Sequence, residues 1–302
     1  LRILHLTDRL SDRGGAHRHL LGVIDALRAE GHAVFLAAGV DEGRVAARCP
    51  VRIVPGLEAR GRTPVALDGL VAELAPDLVH LHTVVNPEVL EWAAGRPALV
   101  SVQDHRYFCP ARGKWTSAGH RCADPMAPGP CAACFEDDGY FREMYDLTAA
   151  RLAALARLPL VVLSAYMRRE LMGAGLSAGR ISVVPPFVHG LDRQAEPDGP
   201  PCVLFVGRLT EAKGARDAIR VWQLSSVDLP LVVAGTGPLR AEMEAAGADV
   251  LGWLGPERLS AAYRRARALI LPSRWQEPFG IAGLEALTMG VPVVAWEGGG
   301  VG

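Results

Sequence analysis

Three groups of residues in the 302-residue chain have the types and spacing to do chemistry. Glu277 and Glu285 stand eight positions apart across Pro278, Gly280 and Gly283, with an apolar filling. Upstream, VGRLTEAKG (206–214) carries Arg208 and Lys213, a guanidinium and an ammonium that together suit two linked phosphates without a divalent metal. Lys213 and Lys114 are the only lysines among 32 basic residues, which singles out both. A third group, Cys109, Cys122, Cys131 and Cys134, is spaced C-x12-C-x8-C-x2-C in a loop rich in Gly and Pro and nearly free of core-building apolar residues. Four thiolates suit tetrahedral zinc, whose binding would supply the folding free energy that such a loop lacks. An iron–sulfur cluster takes the same ligands, and reduced or paired cysteines are a third reading.

Each group alone also has a bland reading. A lone E-x7-E is most often an acidic first turn followed by a solvated glutamate, and an Arg and a Lys flanking a turn are often only solvated. What decides is where the chain puts them. LRILHLT, AVFLAAG, DLVHLHT, ALVSVQ and LPLVVLS read as short buried strands, and AHRHLLGVIDALRAEG as an amphipathic helix closed by Gly31, so an alternating α/β pattern fills residues 1 to about 185. Such alternation builds a doubly wound parallel sheet. The Pro-, Asp- and Gly-rich stretch from 183 to 201 has neither period and reads as a linker. A second α/β unit follows with strands CVLFVGR, LPLVVAG, DVLGWL and ALILPS and the helices PERLSAAYRRAR and GIAGLEALTMG. Glu277 then lies on the loop after ALILPS, and Arg208 and Lys213 follow CVLFVGR. These are carboxyl ends of strands, where open α/β sheets carry ligand sites, beside a helix N-terminus that favours an anion.

Composition narrows the functions. With 32 basic against 33 acidic residues the chain has no long-range pull on nucleic acid, so no nucleic-acid partner is expected. No apolar run approaches the roughly 20 residues of a spanning helix, and LRILHLTDRL turns polar too early for a signal-peptide core, so a cytoplasmic location is expected. The chain stops on the glycine loop AWEGGGVG just after a strand, from which we expect a second domain truncated at its C-terminus.

With these elements in place, the second half resembles the nucleotide-binding domain of retaining GT-B glycosyltransferases, specifically glycosyltransferase family 4. GRL-x3-KG and E-x7-E match in order and spacing, and DRGGAHRHLLGVIDALRAEGHAV, PDLVHLH, VVLSAYMRREL and ISVVPPFV resemble that family's N-terminal blocks. The resemblance implies two Rossmann-like domains facing across a cleft: an acceptor-side domain over 1–188 with its Cys-rich loop at 105–135, a linker at 189–201 and a nucleotide-sugar domain over 202–302. It implies a nucleoside-diphosphate sugar donor, retention of anomeric configuration, a role in polysaccharide or glycoconjugate synthesis, and no catalytic metal. By position, Glu277 is the catalytic carboxylate beside the donor sugar and Glu285 holds the ribose. Arg208 and Lys213 clamp the diphosphate with amides near Gly280 and Ile281, and Trp253 lines the base. The acceptor is left open among a glycan, a lipid-linked sugar and a small molecule, and so is peripheral contact with a membrane. A Cys-bearing insertion like that of 109–134 occurs in some relatives, which favours a structural role for a zinc there.

Two places depart from the family. The loop DRLSDRGGAHR puts Gly14 and Gly15 where they would close over donor and acceptor, but His17 stands where a glutamate is common. In SVQDHRYFCP, Gln103 precedes Asp104 where many members have a histidine that approaches the donor sugar, so either Gln103 or His105 could supply that hydrogen bond. The basic and aromatic residues nearby, Arg106, Tyr107, Phe108, Arg112, Lys114 and Trp115, read as a solvated rim or an acceptor platform. Two rival functions stand beside glycosyl transfer. An NAD-dependent oxidoreductase would use the same Rossmann units, but the first strand is not followed by G-x-G-x-x-G. A non-catalytic scaffold or sugar-nucleotide-binding protein is disfavoured by the intact Glu277, Glu285, Arg208 and Lys213.

Overall fold

The computed structural model describes residues 1–12 and 14–302; Arg13, inside the glycine-loop motif, lies outside the described residues. The chain divides into two compact units, one of residues 1–117 and 122–186, the other of 118–121 and 187–302.

The first unit is built on β1 (Arg2–Leu10), α1 (Gly15–Ala29), β2 (Ala33–Asp41), β3 (Val51–Ile53), α2 (Asp68–Leu74), β4 (Leu78–His82), α3 (Pro87–Ala93) and β5 (Ala98–Val102). After a long loop come α4 (Pro128–Ala132), α5 (Asp138–Leu155), β6 (Leu160–Val162), α6 (Ala165–Gly173) and β7 (Ile181–Val183). Its seven strands are parallel in the order β3-β2-β1-β4-β5-β6-β7. The chain winds one way from β1 to β3 and the other way from β4 on. The switch point therefore falls between β1 and β4, with Ile3 to Leu6 in register with Leu78 to Leu81. Both faces are covered, which is why the strands are nearly continuous apolar runs. One face packs Leu4, Leu6, Leu81 and Val100 into the main core, and the other packs Val34 and Leu36 against Leu20 and Ile24 of α1.

The second unit runs β8 (Cys202–Val206), α7 (Ala215–Leu224), β9 (Leu231–Ala234), α8 (Arg240–Ala245), β10 (Asp249–Gly252), α9 (Pro256–Arg265), β11 (Ala266–Leu271), α10 (Ile281–Thr288) and β12 (Val293–Ala295). Its five parallel strands lie in the order β10-β9-β8-β11-β12, so its switch point falls between β8 and β11. Period-2 alternation along β8 sends Leu204 to one core with Leu269 and Tyr263, and Phe205 to the other with Ile219 and Ile270. Among the described residues no helix is long and apolar enough to cross a membrane.

Candidate active site

Three segments meet at the second switch point: the loop after β8, the loop after β11, and the start of α10. Gly214 ends the first loop with φ 72° and caps α7. A Cβ there would run into the carbonyl oxygen of Pro272, so the loops after β8 and β11 approach as closely as they do only because this residue is glycine. That contact is reinforced by Trp275, whose amide donates to the Ala212 carbonyl at 2.7 Å. Lys213 is thereby carried across to Glu277, and its Nζ donates to Oε1 at 2.6 Å while lying 4.3 Å from the centre of the Trp275 ring. The Glu277 carbonyl accepts from the amide of Gly300 at 2.7 Å, which fixes the loop from its far side.

Both partners of this ion pair are largely buried, the side chains 17% and 10% exposed. Burial pulls the Lys213 ammonium below its ordinary pKa; Glu277 works against that shift, and the nearby Arg208 adds to it. Arg208 itself is exposed. The carboxylate of Glu277 is thus paired with Lys213, and a second cation, Arg208, stands near that pair. The next cation along, Arg274, is already committed, with Nε and Nη2 on the two oxygens of Asp217.

Helix α10 starts at Ile281 behind Gly280, whose φ of 90° lets the chain turn abruptly from the Glu277 loop into the helix. The first amides of such a helix, from Ile281 on, are unused by the helix itself and carry the positive end of its dipole. Glu285, one turn further in, is buried and accepts from the Tyr263 hydroxyl of α9 at 2.9 Å. Trp253 follows β10, the edge strand three places from β11, and its side chain is exposed. Arg208, Lys213, Glu277, Gly280 and Ile281 are therefore brought to one switch point and Glu285 to the same helix, whereas Trp253 stands at the far edge of the sheet.

The first switch point holds another cluster that the sequence reading did not identify. Asp8, near the end of β1, accepts from the Thr83 hydroxyl at 2.7 Å and lies 3.1 Å from His17 Nε2 and 3.6 Å from Arg106 Nη1. Burial would raise the Asp8 carboxyl, but hydrogen bonds from His17 and Thr83 and the charges of His17 and Arg106 outweigh it and hold the group below its ordinary value. Arg106 is in turn clamped by Asp104, Nε to Oδ2 at 2.8 Å. Gly14 caps α1 with φ 88°, and Gly15 opens the helix.

Gln103 and His105 part company here. His105 is fully buried, hydrogen-bonded through Nε2 to the Tyr166 hydroxyl at 2.9 Å and edge-on to Phe108. Gln103 is also buried, yet neither its amide oxygen nor its amide nitrogen has a hydrogen-bond partner among the described residues. The solvated-rim reading of their neighbours needs correction: Tyr107 and Phe108 are buried in the main core at the turn over 105–107, and Lys114 is buried with its Nζ on the Asp124 carbonyl and near Glu170.

Two groups could hold a metal. The four cysteines are all partly buried and form no disulfide among the described residues. A tighter group is formed by His5 on β1 and by His80 and His82 on β4, whose ligand nitrogens lie within 4.8 Å of one another. His5 Nδ1 is 3.0 Å from His82 Nε2, and His80 Nε2 is 2.8 Å from the Ser101 hydroxyl. Burial pushes His5 down to about 4 and holds His80 and His82 well below the usual imidazole value. These are neutral imidazoles packed inside a sheet. The H-x-H spacing of 80 and 82 was the available signal, but their meeting with His5 depends on the β1–β4 register.

Two Rossmann-like parallel sheets in one chain, each with its reactive side chains at the switch point, define the GT-B fold. Residues 191–302 match the family described as Glycosyl transferases group 1. Over 99% of its length the chain superposes on 81% of Anabaena HepE in complex with UDP-glucose, with a TM-score of 0.67 and 17% sequence identity. It is 27% identical to the GDP-mannose-dependent alpha-mannosyltransferase of Mycolicibacterium smegmatis, across 96% of this chain and 78% of that protein. It is 31% identical to the 2-deoxystreptamine glucosyltransferase of Streptomyces kanamyceticus, across 51% of this chain and 47% of the relative. Matches to the first curated relatives span 28% to 47% of those proteins' own lengths.

Proposed function

We propose that the protein is a retaining hexosyltransferase that moves a sugar from a nucleoside-diphosphate donor to an acceptor hydroxyl in the cytoplasm, with no divalent metal at the diphosphate. The observation that carries this reading is the switch point between β8 and β11, where the buried Lys213–Glu277 ion pair lies beside the start of α10 with the exposed Arg208 near enough to bear on Lys213. Such a site is electropositive and partly desolvated, which strengthens its hold on a diphosphate. The UDP-glucose complex of HepE and the GDP-mannose dependence of the mycobacterial relative favour a nucleotide sugar over a nicotinamide cofactor.

In the reaction, the bond between the anomeric carbon and the β-phosphate oxygen breaks and the acceptor oxygen bonds to that carbon on the same face. The acceptor's proton passes to the departing phosphate. Arg208, Lys213 and the amides from Gly280 and Ile281 stabilise the charge that grows on the diphosphate. Glu277 stands by the positive charge that grows on the sugar, and Glu285 takes the ribose hydroxyls. Trp253 offers its exposed ring to the base; Gln103, Gly14 and Gly15 of the first unit are further candidates for contact with a sugar, Gln103 through an amide without a partner among the described residues.

The test is a panel of UDP-, GDP- and ADP-sugars with and without a chelator of loosely bound magnesium, the product's anomeric configuration being read by NMR. Transfer with retention in the presence of chelator is expected. Inversion, or a requirement for added magnesium, would overturn the reading.

A further inference from the structure

Donor chemistry leaves the 109–134 loop without a purpose. No hydrophobic side chain between Phe108 and Leu147 joins the buried core, and the only regular element between the turn at 105–107 and α5 is the five-residue α4. A segment of this length with so little apolar burial needs another source of order. It nonetheless has a definite conformation around its cysteines. Gly113 and Lys114 take consecutive positive φ values of 70° and 63°, a reversal that swings the Lys114 amide back to donate to Cys109 Sγ at 3.3 Å. A neutral thiol accepts hydrogen bonds weakly, whereas a thiolate held by a cation accepts them well.

Lys114 also ties the first two cysteines together, because its carbonyl accepts from the Cys122 amide at 2.9 Å. Its own buried side chain is pinned, with Nζ donating to the Asp124 carbonyl at 2.6 Å and standing 3.3 Å from Glu170. The other pair is held by a helical turn: the Cys134 amide donates to the Cys131 carbonyl at 3.1 Å, at the end of α4. The two pairs lie near each other, since the hydroxyl of Ser117, between Cys109 and Cys122, donates to the carbonyl of Ala133, between Cys131 and Cys134, at 2.9 Å. Four sulfurs on two stiff turns, in a loop without a core, are the ligand set of a structural metal.

We propose that Cys109, Cys122, Cys131 and Cys134 bind one zinc ion that orders the 109–134 loop. Zinc–sulfur bonds of about 2.3 Å put tetrahedral sulfurs about 3.8 Å apart. In this structure any three of the four sulfurs include a pair more than 4.8 Å apart, so coordination has to draw the two turns together. The four thiol protons leave to solvent as the ion binds. The histidine group is more compact, with three nitrogens engaged among themselves and with Ser101 and with His5 Nε2 and His82 Nδ1 unpartnered among the described residues, but the sheet around it already has a complete core, so a metal there would order nothing.

The experiment is metal analysis of the chain purified under reducing conditions without chelator, repeated on Cys131→Ser, Cys122→Ser and His82→Gln. About one zinc per chain is expected in the parent and in His82→Gln, falling at least tenfold in either cysteine variant. Cobalt substituted for zinc should give the strong visible absorption of a tetrahedral thiolate site in the parent alone. Limited proteolysis of the cysteine variants should cut within residues 105–135 and spare the rest of the chain, which separates loss of the site from global unfolding. A parent without stoichiometric metal, zinc that survives Cys131→Ser, zinc lost only in His82→Gln, or iron with sulfide in place of zinc would each overturn the proposal.

Discussion

At the switch point of the first sheet Asp8 meets His17, Thr83 and Arg106, and Arg106 is held by Asp104; at that of the second, Lys213 meets Glu277 with Arg208 alongside. Topology is the same in both: parallel strands, a reversal of winding direction, and loops converging on the carboxyl ends. Charge accounting is not. Around Asp8 each charged group has an opposite partner, and the cluster can do its structural work with nothing added. Beside Glu277 one ion pair with Lys213 has a second cation, Arg208, close by, and Lys213 is held below its ordinary pKa by burial and by Arg208. A site that is electrically incomplete gains most from an anion. Equal architecture therefore carries a closed cluster in one unit and, in the other, a cluster with excess positive charge that suits the proposed diphosphate site, and side chains at the strand ends set the difference.

The largest effect should come from removing the excess charge. Arg208→Ala with Lys213→Ala takes away two charge-assisted contacts worth about 1.5–3 kcal/mol each, so nucleoside-diphosphate affinity should fall by a hundredfold or more. Calorimetry with UDP, GDP and ADP measures this. Asp8→Asn, made as the contrast, should leave that affinity within about twofold; if the two results were exchanged, the comparison would be reversed. Glu277→Gln sharpens it further. Its turnover should drop on the order of a hundredfold, as happens when a group that stabilises transition-state charge is lost, while donor affinity changes far less. An equal loss in both would assign Glu277 to ground-state binding.

Next in size is the pH response of the first sheet. His5 titrates near 4 in the fold against 6.5 when exposed, so the unfolded chain takes up its proton first as the solution is acidified. Stability from keeping His5 neutral is complete above 6.5 and drains away down to about 4, a loss on the order of 3 kcal/mol. Asp8 acts in a lower window. Its folded pKa lies below the ordinary 3.8, so its contribution is complete above that value and is lost only as pH falls further, through the folded value. Melting curves from pH 7 to 3 should fall less steeply between 6.5 and 4 in His5→Asn, His80 and His82 supplying the remaining slope, and should change only below that range in Asp8→Asn. A His5→Asn profile that matched the parent's would remove the buried neutral imidazole from the account.

These contrasts also show what the sequence made legible. The strands at β1, β2, β4, β5 and β8 to β11 could be read because each is an apolar run fenced by turn residues. α5 went unread: its apolar residues are interleaved with Asp138, Arg142, Glu143 and Asp146, which blurs the helical period. The three-residue β3 is too short to show any period. Arg208, Lys213, Glu277 and Glu285 were named because motif spacing carried them. That Lys213 bonds Glu277 over the Trp275 ring depends on a loop contact across 64 positions that no local pattern encodes. The Asp8 cluster was invisible for the same reason, since Asp8, Thr83 and Arg106 come together only once β1, β4 and β5 are aligned. Gln103 and His105, equivalent in the sequence, were told apart by their hydrogen bonds alone.

The smallest effect on the fold is expected at Gln103, and it is the one that best separates structure from function. A buried amide that holds part of a fold together loses its hydrogen bonds on substitution and costs about 1–3 kcal/mol. Gln103 has no such bonds to lose, because its oxygen and nitrogen are both without a partner among the described residues. Replacing a buried, unpaired polar group with an apolar one of similar volume is close to neutral or mildly stabilising. Gln103→Leu should accordingly melt within a few degrees of the parent, on the high side if anything, while transfer from a sugar nucleotide slows by tenfold or more through the lost contact to a sugar hydroxyl. His105→Leu should behave in the opposite way, since it breaks the bond to Tyr166 and disturbs packing with Phe108, lowering the melting temperature before it touches the donor. Thermal melts and donor kinetics on the two variants read both quantities. If Gln103→Leu destabilised the chain as much as His105→Leu and left transfer unchanged, Gln103 would belong with the closed cluster of the first sheet and would have no part in donor contact.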